Sequence, residues 1–335
     1  MEKLRTNFIV INLKKYLISI ISLVFVITLV LYSKSNIEAA KNGLKLWANS
    51  VVPSLFPFFV ATEILCSTNL VNLVGKFLQK PIQKIFNIPG EGAIAIIMGI
   101  ISGYPTGAKI AVNFREKNIC SKEEAERLLA FTNNSGPLFI IGTVGISMFG
   151  NIKIGYILLI SHIISCLIVG IIFRNWKRKK IKFNTFFKIE EKQIRLKDLG
   201  EILGNSIKKS IITILNIGGF IVIFSVILSI LDNSNFFNIV ENFCNKLNIS
   251  RGIVTGFISG IIELTNGVNQ ISSLGSSNLI IILTSFLVGF GGISVLLQVY
   301  SVIAKSDISI KPYFYGKLCQ SIISIVITTV ILMFF

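Results

Sequence analysis

Three polar clusters interrupt stretches that are otherwise apolar. Ser102, Tyr104 and Thr106 lie in Ile-Ser-Gly-Tyr-Pro-Thr-Gly (101–107), Asn133, Asn134 and Ser135 precede Gly136-Pro137, and Glu263, Thr265, Asn266 and Asn269 surround Gly267. Hydroxyls, amides and a carboxylate are groups that hydrogen-bond a small polar solute. The breakers among them, Gly103, Pro105, Gly107, Gly136, Pro137 and Gly267, end helices. A broken helix presents free backbone amides or carbonyls, which take up ions or carboxylates without a metal. Gly289, Gly291 and Gly292, followed by Gln298, supply a further break or a close-packing point. Glu263 stands out, since a carboxylate in an apolar run must be protonated, paired or facing a watery cavity. Coupling cation, proton, substrate hydrogen bond and structural network all remain open for it.

This chemistry is binding and gating. No serine-histidine-acid set or metal-ligand cluster appears, and no G-x-x-x-x-G-K-[ST] phosphate loop is present, so the chain does not read as an enzyme or an ATPase. No cofactor is called for. Lone His162 has no carboxylate three or four residues away and reads first as a packed or hydrogen-bonded helix residue. Five cysteines without C-x-x-C spacing read as small apolar fillers. Lys109 can meet a carboxylate or snorkel to the surface, and Glu63 can pair with a lysine or line a pathway.

The elements that must position these groups belong in lipid. The chain has 335 residues, 52% hydrophobic and 15% charged, with a mean hydropathy of +0.75; soluble domains carry nearer a quarter charged. Charge is nearly absent from 152–173, 211–231 and 279–304, each long enough to span a bilayer as a helix. A net charge of +17 would suggest nucleic acid in a soluble protein. Here Arg174, Lys177, Arg178, Lys179, Lys180 and Lys182 directly follow an apolar span, and the positive-inside rule puts that loop in the cytoplasm with no nucleic acid involved.

The expected architecture is an all-α polytopic membrane protein. An N-terminal transmembrane helix occupies 1–35, its apolar part 16–32 uncleaved. A first repeat covers 41–173, with a helix at 44–65 that Pro53 and Pro57 should kink or restart and a re-entrant helical hairpin near 92–114. Ser121 and Glu124 form a capping-box pattern for the next helix. A basic cytoplasmic linker covers 174–204. A second repeat covers 205–335, with its hairpin near 252–270. Asn49-Ser50 and Asn205-Ser206, and Ile101-Ser102-Gly103 and Ile258-Ser259-Gly260, recur about 157 residues apart, which points to internal duplication. Three spans and one hairpin per repeat is an odd count, so the repeats are expected to be inverted, their tips approaching the midplane from opposite sides.

Residues 46–57 (Leu-Trp-Ala-Asn-Ser-Val-Val-Pro-Ser-Leu-Phe-Pro), 99–109, 132–139, 260–267 and 290–292 together resemble the YlbJ family of sporulation integral membrane proteins. That family is similar to the wider nucleoside-recognition or gate domain superfamily, whose repeat plan is similar to concentrative nucleoside transporters. The resemblance implies paired re-entrant hairpins around a central site. It also implies a transporter that moves dipicolinic acid from the mother-cell cytoplasm across the outer forespore membrane, with loop 174–204 in that cytoplasm. Its partners are then the small anionic substrate, the lipid bilayer, and a second copy or other spore-envelope membrane proteins. A sodium or proton coupling ion stays open. Transport of a nucleoside or other small metabolite, and a noncatalytic scaffold in spore assembly, are the alternatives.

Overall fold

A computed structural model describes residues 2–68, 70–177, 198–245 and 250–334. Every regular element among them is helical. The first set comprises α1 (Glu2–Leu31), α2 (Ser33–Leu46), a π-helical turn (Trp47–Val51), α3 (Val52–Ser67), α4 (Leu70–Phe86), α5 (Gly92–Ile101), α6 (Thr106–Glu116), α7 (Lys122–Thr132), a π-helical segment (Phe139–Met148) and α8 (Ile152–Phe173). The second comprises α9 (Leu199–Asn233), α10 (Phe236–Asn245), α11 (Arg251–Ile262), α12 (Leu264–Ser272), α13 (Asn278–Phe290), α14 (Gly292–Ile303) and α15 (Lys311–Met333). Five described stretches, Ser33–Leu65, Ile152–Phe173, Leu199–Asn233, Asn278–Ile303 and Lys311–Met333, are long and apolar enough to cross a bilayer. The protein is an all-α, multi-pass membrane protein.

On α8 and α15 the outward faces are apolar, and polar side chains lie among the buried ones. On α8, Ile152, Tyr156, Ile160 and Ile164 recur every fourth position and are exposed, while Ser161, His162 and Ser165 are buried. On α15, Ile322, Val326 and Val330 face outward, and Lys317, Gln320, Ser321, Ser324 and Thr328 face inward. Lipid tails offer an apolar side chain nothing to escape from, so the interior gains instead from polar pairing and close packing.

After α1 the order of elements occurs twice. A long helix (α2–α3, then α9) is followed by an amphipathic helix (α4, then α10) and two short apposed helices (α5–α6, then α11–α12). A helix interrupted partway (α7 with 139–148, then α13–α14) and a closing helix (α8, then α15) complete each set. Packing crosses between the sets: α8 lies on α15, α7 on α15, and α8 on α13.

Side-chain bonds tie the ends. Glu126, fully buried, accepts from Trp176 Nε1 (2.9 Å), Lys177 Nζ (3.3 Å) and the Ser309 amide (3.3 Å), and Asn87 donates to the Arg174 carbonyl (3.1 Å). These join the open end of α5–α6 to the end of α8 and the start of α15. Asn233 at the end of α9 donates to Ser35 Oγ at the start of α2 (2.8 Å), and Arg251 at the start of α11 donates to Asn238 on α10 (2.7 Å).

Local sequence explains the interruptions. The helix expected at 44–65 begins earlier, at Ser33, and Pro53 and Pro57 are absorbed by the wide turn at Trp47–Val51 and continued helix. Ser121 and Glu124 do form a capping box at the start of α7. Gly291 and Gly292 both adopt positive φ (83° and 81°) and separate α13 from α14. Of the linker expected at 174–204, residues 178–197 lie outside the described residues.

Both hairpins close because glycines let backbone meet backbone. A Cβ at Gly99 or Gly107 would overlap the Thr132 carbonyl, and one at Gly267 would overlap the Gly260 backbone. Gly267→Ala is therefore expected to destabilise by about 1–3 kcal/mol through overpacking. Gly219→Ala, whose Cβ meets nothing within 4 Å, should be neutral or slightly stabilising. Thermal unfolding of the two purified variants checks the contrast; equal midpoints would refute the packing argument.

Candidate functional site

Helix α9 serves as a ruler for three cavities. At its middle, Thr213, Asn216 and Phe220 face a recess of about 190 Å³ shared with Pro105, Lys109, Gln298 and Ser301. Towards its end, Ser225, Ser229 and Asp232 face a recess of about 400 Å³ shared with Ser35, Glu38, Thr255, Ser259 and Asn266. At about 1.5 Å rise per residue, Asn216 and Ser229 stand about 20 Å apart along the axis. Between them Ile217 borders a cavity of about 20 Å³, room for little more than one water.

That central cavity is the septum. Its wall holds Ser102, Gly103 and Tyr104 from the first hairpin elbow, Gly136 from the interruption after α7, Thr265 from the start of α12, and the apolar Leu55, Phe58, Phe59 and Phe139. Parts of all three polar clusters thus meet at one point. Beside Tyr104 lie Glu263, Tyr313 and Ser135.

Each elbow is fastened from its own backbone outward. Glu263 alone links α11 to α12 in extended conformation, and its carboxylate accepts from the amides of Thr265 (3.1 Å) and Asn266 (2.7 Å) and from Asn266 Nδ2 (2.8 Å). The carboxylate caps α12, opposite the positive end of that helix dipole. Asn266 reaches Ser225 Oγ (2.9 Å) on α9, tying the hairpin to the ruler helix. After α7, Ser135 donates its amide to His162 Nε2 (3.2 Å), and the Asn133 carbonyl oxygen Oδ1 accepts from the Ala108 amide (3.4 Å). His162 is thus a hydrogen-bonded helix residue.

Other expected residues fall elsewhere. Thr106 is half-buried in the first turn of α6, outside the cavities described above, and Asn269 is exposed on α12, likewise outside them. Pro105 borders the smaller recess together with exposed Lys109. Pro137 is half-buried directly after Gly136, and Gly289 packs against the Ser321 backbone of α15, which makes it a close-packing position. Gly292 sits over the Gly260 carbonyl and the Leu264 amide, bracing the second elbow. Glu63 pairs with Lys209 (3.2 Å) at a half-exposed position. Cys166 does more than fill space, donating to the Phe131 carbonyl (3.0 Å); Cys120 and Cys319 are free, and the side chains of Cys66 and Cys244 lie outside the described residues. Among the described residues no group of three or more His, Cys, Asp or Glu gathers.

Sequence reasoning missed the deepest polar group. Lys317 on α15 is buried and donates to Asn134 Oδ1 (3.0 Å) and Gln320 Oε1 (2.7 Å), while Gln320 Nε2 also reaches Asn134 Oδ1 (3.1 Å). The available signal was a second lysine six residues after Lys311, inside an otherwise uncharged apolar span, since ionisable residues inside a membrane mark function.

Two helical hairpins and two interrupted helices converging on one small cavity define an all-α multi-pass membrane protein with its breaks at the centre. A Gate family described as nucleoside recognition matches residues 48–173. The sporulation integral membrane protein YlbJ of Bacillus subtilis (strain 168) is 34% identical over 320 residues, spanning 88% of this chain and 77% of that protein. The chain belongs to the YlbJ family. Neither match is to a catalytic family, and no solved structure matches the chain.

One contact outside the spans gives a pH test. Arg115 grips Asp307 with two bonds (3.0 and 2.9 Å), fastening the first hairpin to the α14–α15 loop and holding the Asp307 carboxyl below its usual range. The stabilisation is complete above the unfolded carboxyl value of about 3.9 and is lost as pH falls through the lowered folded value. For a pair this exposed, Asp307→Asn should cost no more than about 1 kcal/mol at neutral pH. Thermal unfolding of both proteins should show the gap narrowing below about pH 4; a gap that widens there would contradict the pairing.

Proposed function

We propose that the protein carries a small anionic metabolite across a membrane by alternating access, and that the cargo is dipicolinic acid moving from the mother-cell cytoplasm across the outer forespore membrane. The observation that carries this reading is the pair of recesses along α9, one at its middle and one towards its end, with a septum that shares Ile217 with the first and sets Thr265 next to Asn266 of the second. A solute passing between them must displace the septum, and a septum made of two separately anchored elbows can yield on one side at a time. The sporulation setting comes from the name of the relative, and the cargo from the family resemblance.

In this reading the two sets of elements, 41–173 and 205–335, are inverted repeats similar to those of concentrative nucleoside transporters, and the hairpins are re-entrant. Support comes from the duplicated element order and from the separate fastening of the two open hairpin ends, the first at the end of α8 and the second on α10 directly after α9. The end bearing Lys84, Arg115 and Lys177 is assigned to the cytoplasm by the positive-inside rule, along with linker 174–204.

Ser102, Tyr104 and Thr265 contact cargo at the septum, with Asn133, Asn134 and Ser135 behind them. Asn266 receives it from the larger recess and Lys109 from the smaller, while Thr106 and Asn269 flank the elbows. Glu263 holds the second elbow in shape. Gly103, Pro105, Gly107, Gly136, Pro137, Gly267, Gly291 and Gly292 are the hinge and close-packing positions. The Gate match described as nucleoside recognition favours one second reading, a nucleoside cargo.

Purified protein in proteoliposomes should move labelled dipicolinate, and excess unlabelled dipicolinate should compete where uridine does not. Tyr104→Ala should lower flux by at least about tenfold while the protein stays folded, as loss of an oriented binding contact does. Competition by uridine alone would transfer the assignment to nucleosides, and absence of any flux from folded protein would favour a scaffold. Cysteines placed at Lys177 and Asp232 should be labelled from opposite sides of the membrane; labelling from one side would end the inverted reading.

A further inference from the structure

The buried amine of Lys317 is held among neutral groups. Its neighbours are Asn134 Oδ1, Gln320 Oε1 and the ring of Tyr313, whose centroid is 5.8 Å away. Among the described residues no carboxylate forms an ion pair with it; those pairs join Arg115 to Asp307, Arg127 to Glu124, Lys177 to Glu126, Lys209 to Glu63 and Arg251 to Glu241. A charge withdrawn from water costs several kcal/mol unless an opposite charge meets it. A methionine or glutamine of similar length would fill the same space without that cost. The lysine is explained if its counter-charge arrives from outside.

The surroundings suit a carboxylate. Asn134 and Gln320 now present their oxygens to the amine, and each also carries an amide NH₂. Both NH₂ groups are engaged within the protein, Asn134 Nδ2 with the Phe131 carbonyl (2.6 Å) and Cys166 Sγ (3.1 Å) and Gln320 Nε2 with Asn134 Oδ1 (3.1 Å) and the His162 carbonyl (3.3 Å), so an incoming carboxylate meets the amine first and gains these donors only as those bonds are exchanged. A route also exists. Tyr104 borders the central cavity with its ring and has Ser135 and Tyr313 beside it. Tyr313 in turn lies under Lys317 and accepts from Asn133 Nδ2 (3.4 Å). Tyr104 packs against the cluster that contains Tyr313, with the cavity beside the first and the amine over the second, on the elbow that must move for the septum to open. Displacing that one ring would join the two.

We propose that Lys317, with Asn134 and Gln320, is the carboxylate-binding centre of the protein: the cargo anion becomes the missing partner of the buried amine when the first elbow shifts Tyr104 aside. The proposal rests on the anion-carrier reading and adds to it the group that recognises charge. It also explains how an anion crosses a core that has a buried carboxylate at Glu263, since that carboxylate is already taken up by three donors on its own hairpin.

The test is equilibrium binding of labelled pyridine-2,6-dicarboxylate to the purified full chain in detergent, with pyridine-2-carboxylate, succinate and uridine as competitors. Lys317→Gln should weaken binding by at least about 30-fold, the scale for removing one member of a buried charge pair. Lys317→Arg should recover part of it. Should Lys317→Gln fail to fold, Gln320→Glu decides. It places a fixed carboxylate where Oε1 now sits 2.7 Å from the amine, so the protein should be at least as heat-stable as the parent and still lose binding to the same degree. Unchanged dipicolinate binding in folded Lys317→Gln or Gln320→Glu overturns the centre and leaves the cargo reading intact. Lys317-dependent binding of succinate without dipicolinate upholds the centre and overturns the cargo. Binding of uridine but no carboxylate overturns both.

Discussion

A backbone amide or carbonyl within a bilayer has no water to turn to, so every interruption of a helix must find its partners inside the protein. The interruptions in this chain are arranged so that each serves another. The Thr132 carbonyl, released where α7 ends, is enclosed by Gly99 and Gly107 on the two legs of the first hairpin. Gly103 at the elbow lies against Gly136. Where no second backbone is available, a side chain takes its place: His162 for the Ser135 amide, Glu263 for the amides of Thr265 and Asn266. Satisfying the backbone in this way brings the polar clusters to a common centre.

The same constraint explains the inside-out character of α8 and α15. Their lipid-facing stripes of isoleucine, valine and tyrosine are what the solvent demands, and their inner faces carry the polar residues that the interruptions need. Small residues allow the approach, as at Gly316, where α15 comes against the Ala130 carbonyl of α7. Lys317 and Gln320 follow Gly316 on this helix, so the contact that brings α15 close also delivers the amine to Asn134.

The two recesses differ in charge. Lys109 stands in the smaller, at the end rich in lysine and arginine, and Glu38 and Asp232 stand in the larger. An anion is drawn towards the former and repelled by the latter. Such a gradient of sign favours capture of an anion at one recess and its departure from the other.

The sequence by itself determined the membrane class and the positions of the interruptions at 102–107, 133–137 and 263–267, because hydropathy, proline and glycine act within a few residues of where they stand. It also exposed the duplicated order of elements, through recurring Asn-Ser and Ile-Ser-Gly. Tertiary structure alone decided which polar residues meet. Each interruption resets the phase of the helix that follows, so the direction of a side chain beyond it cannot be counted from spacing. On α12 itself Thr265 at the first turn lines the septum while Asn269, one turn further along, is exposed, and Glu263 spends its oxygens on its own helix end. Lys317 and Gln320 come to Asn134 from 183 and 186 positions away, a meeting set by the packing of α15 against α7 and α8 and by no local signal.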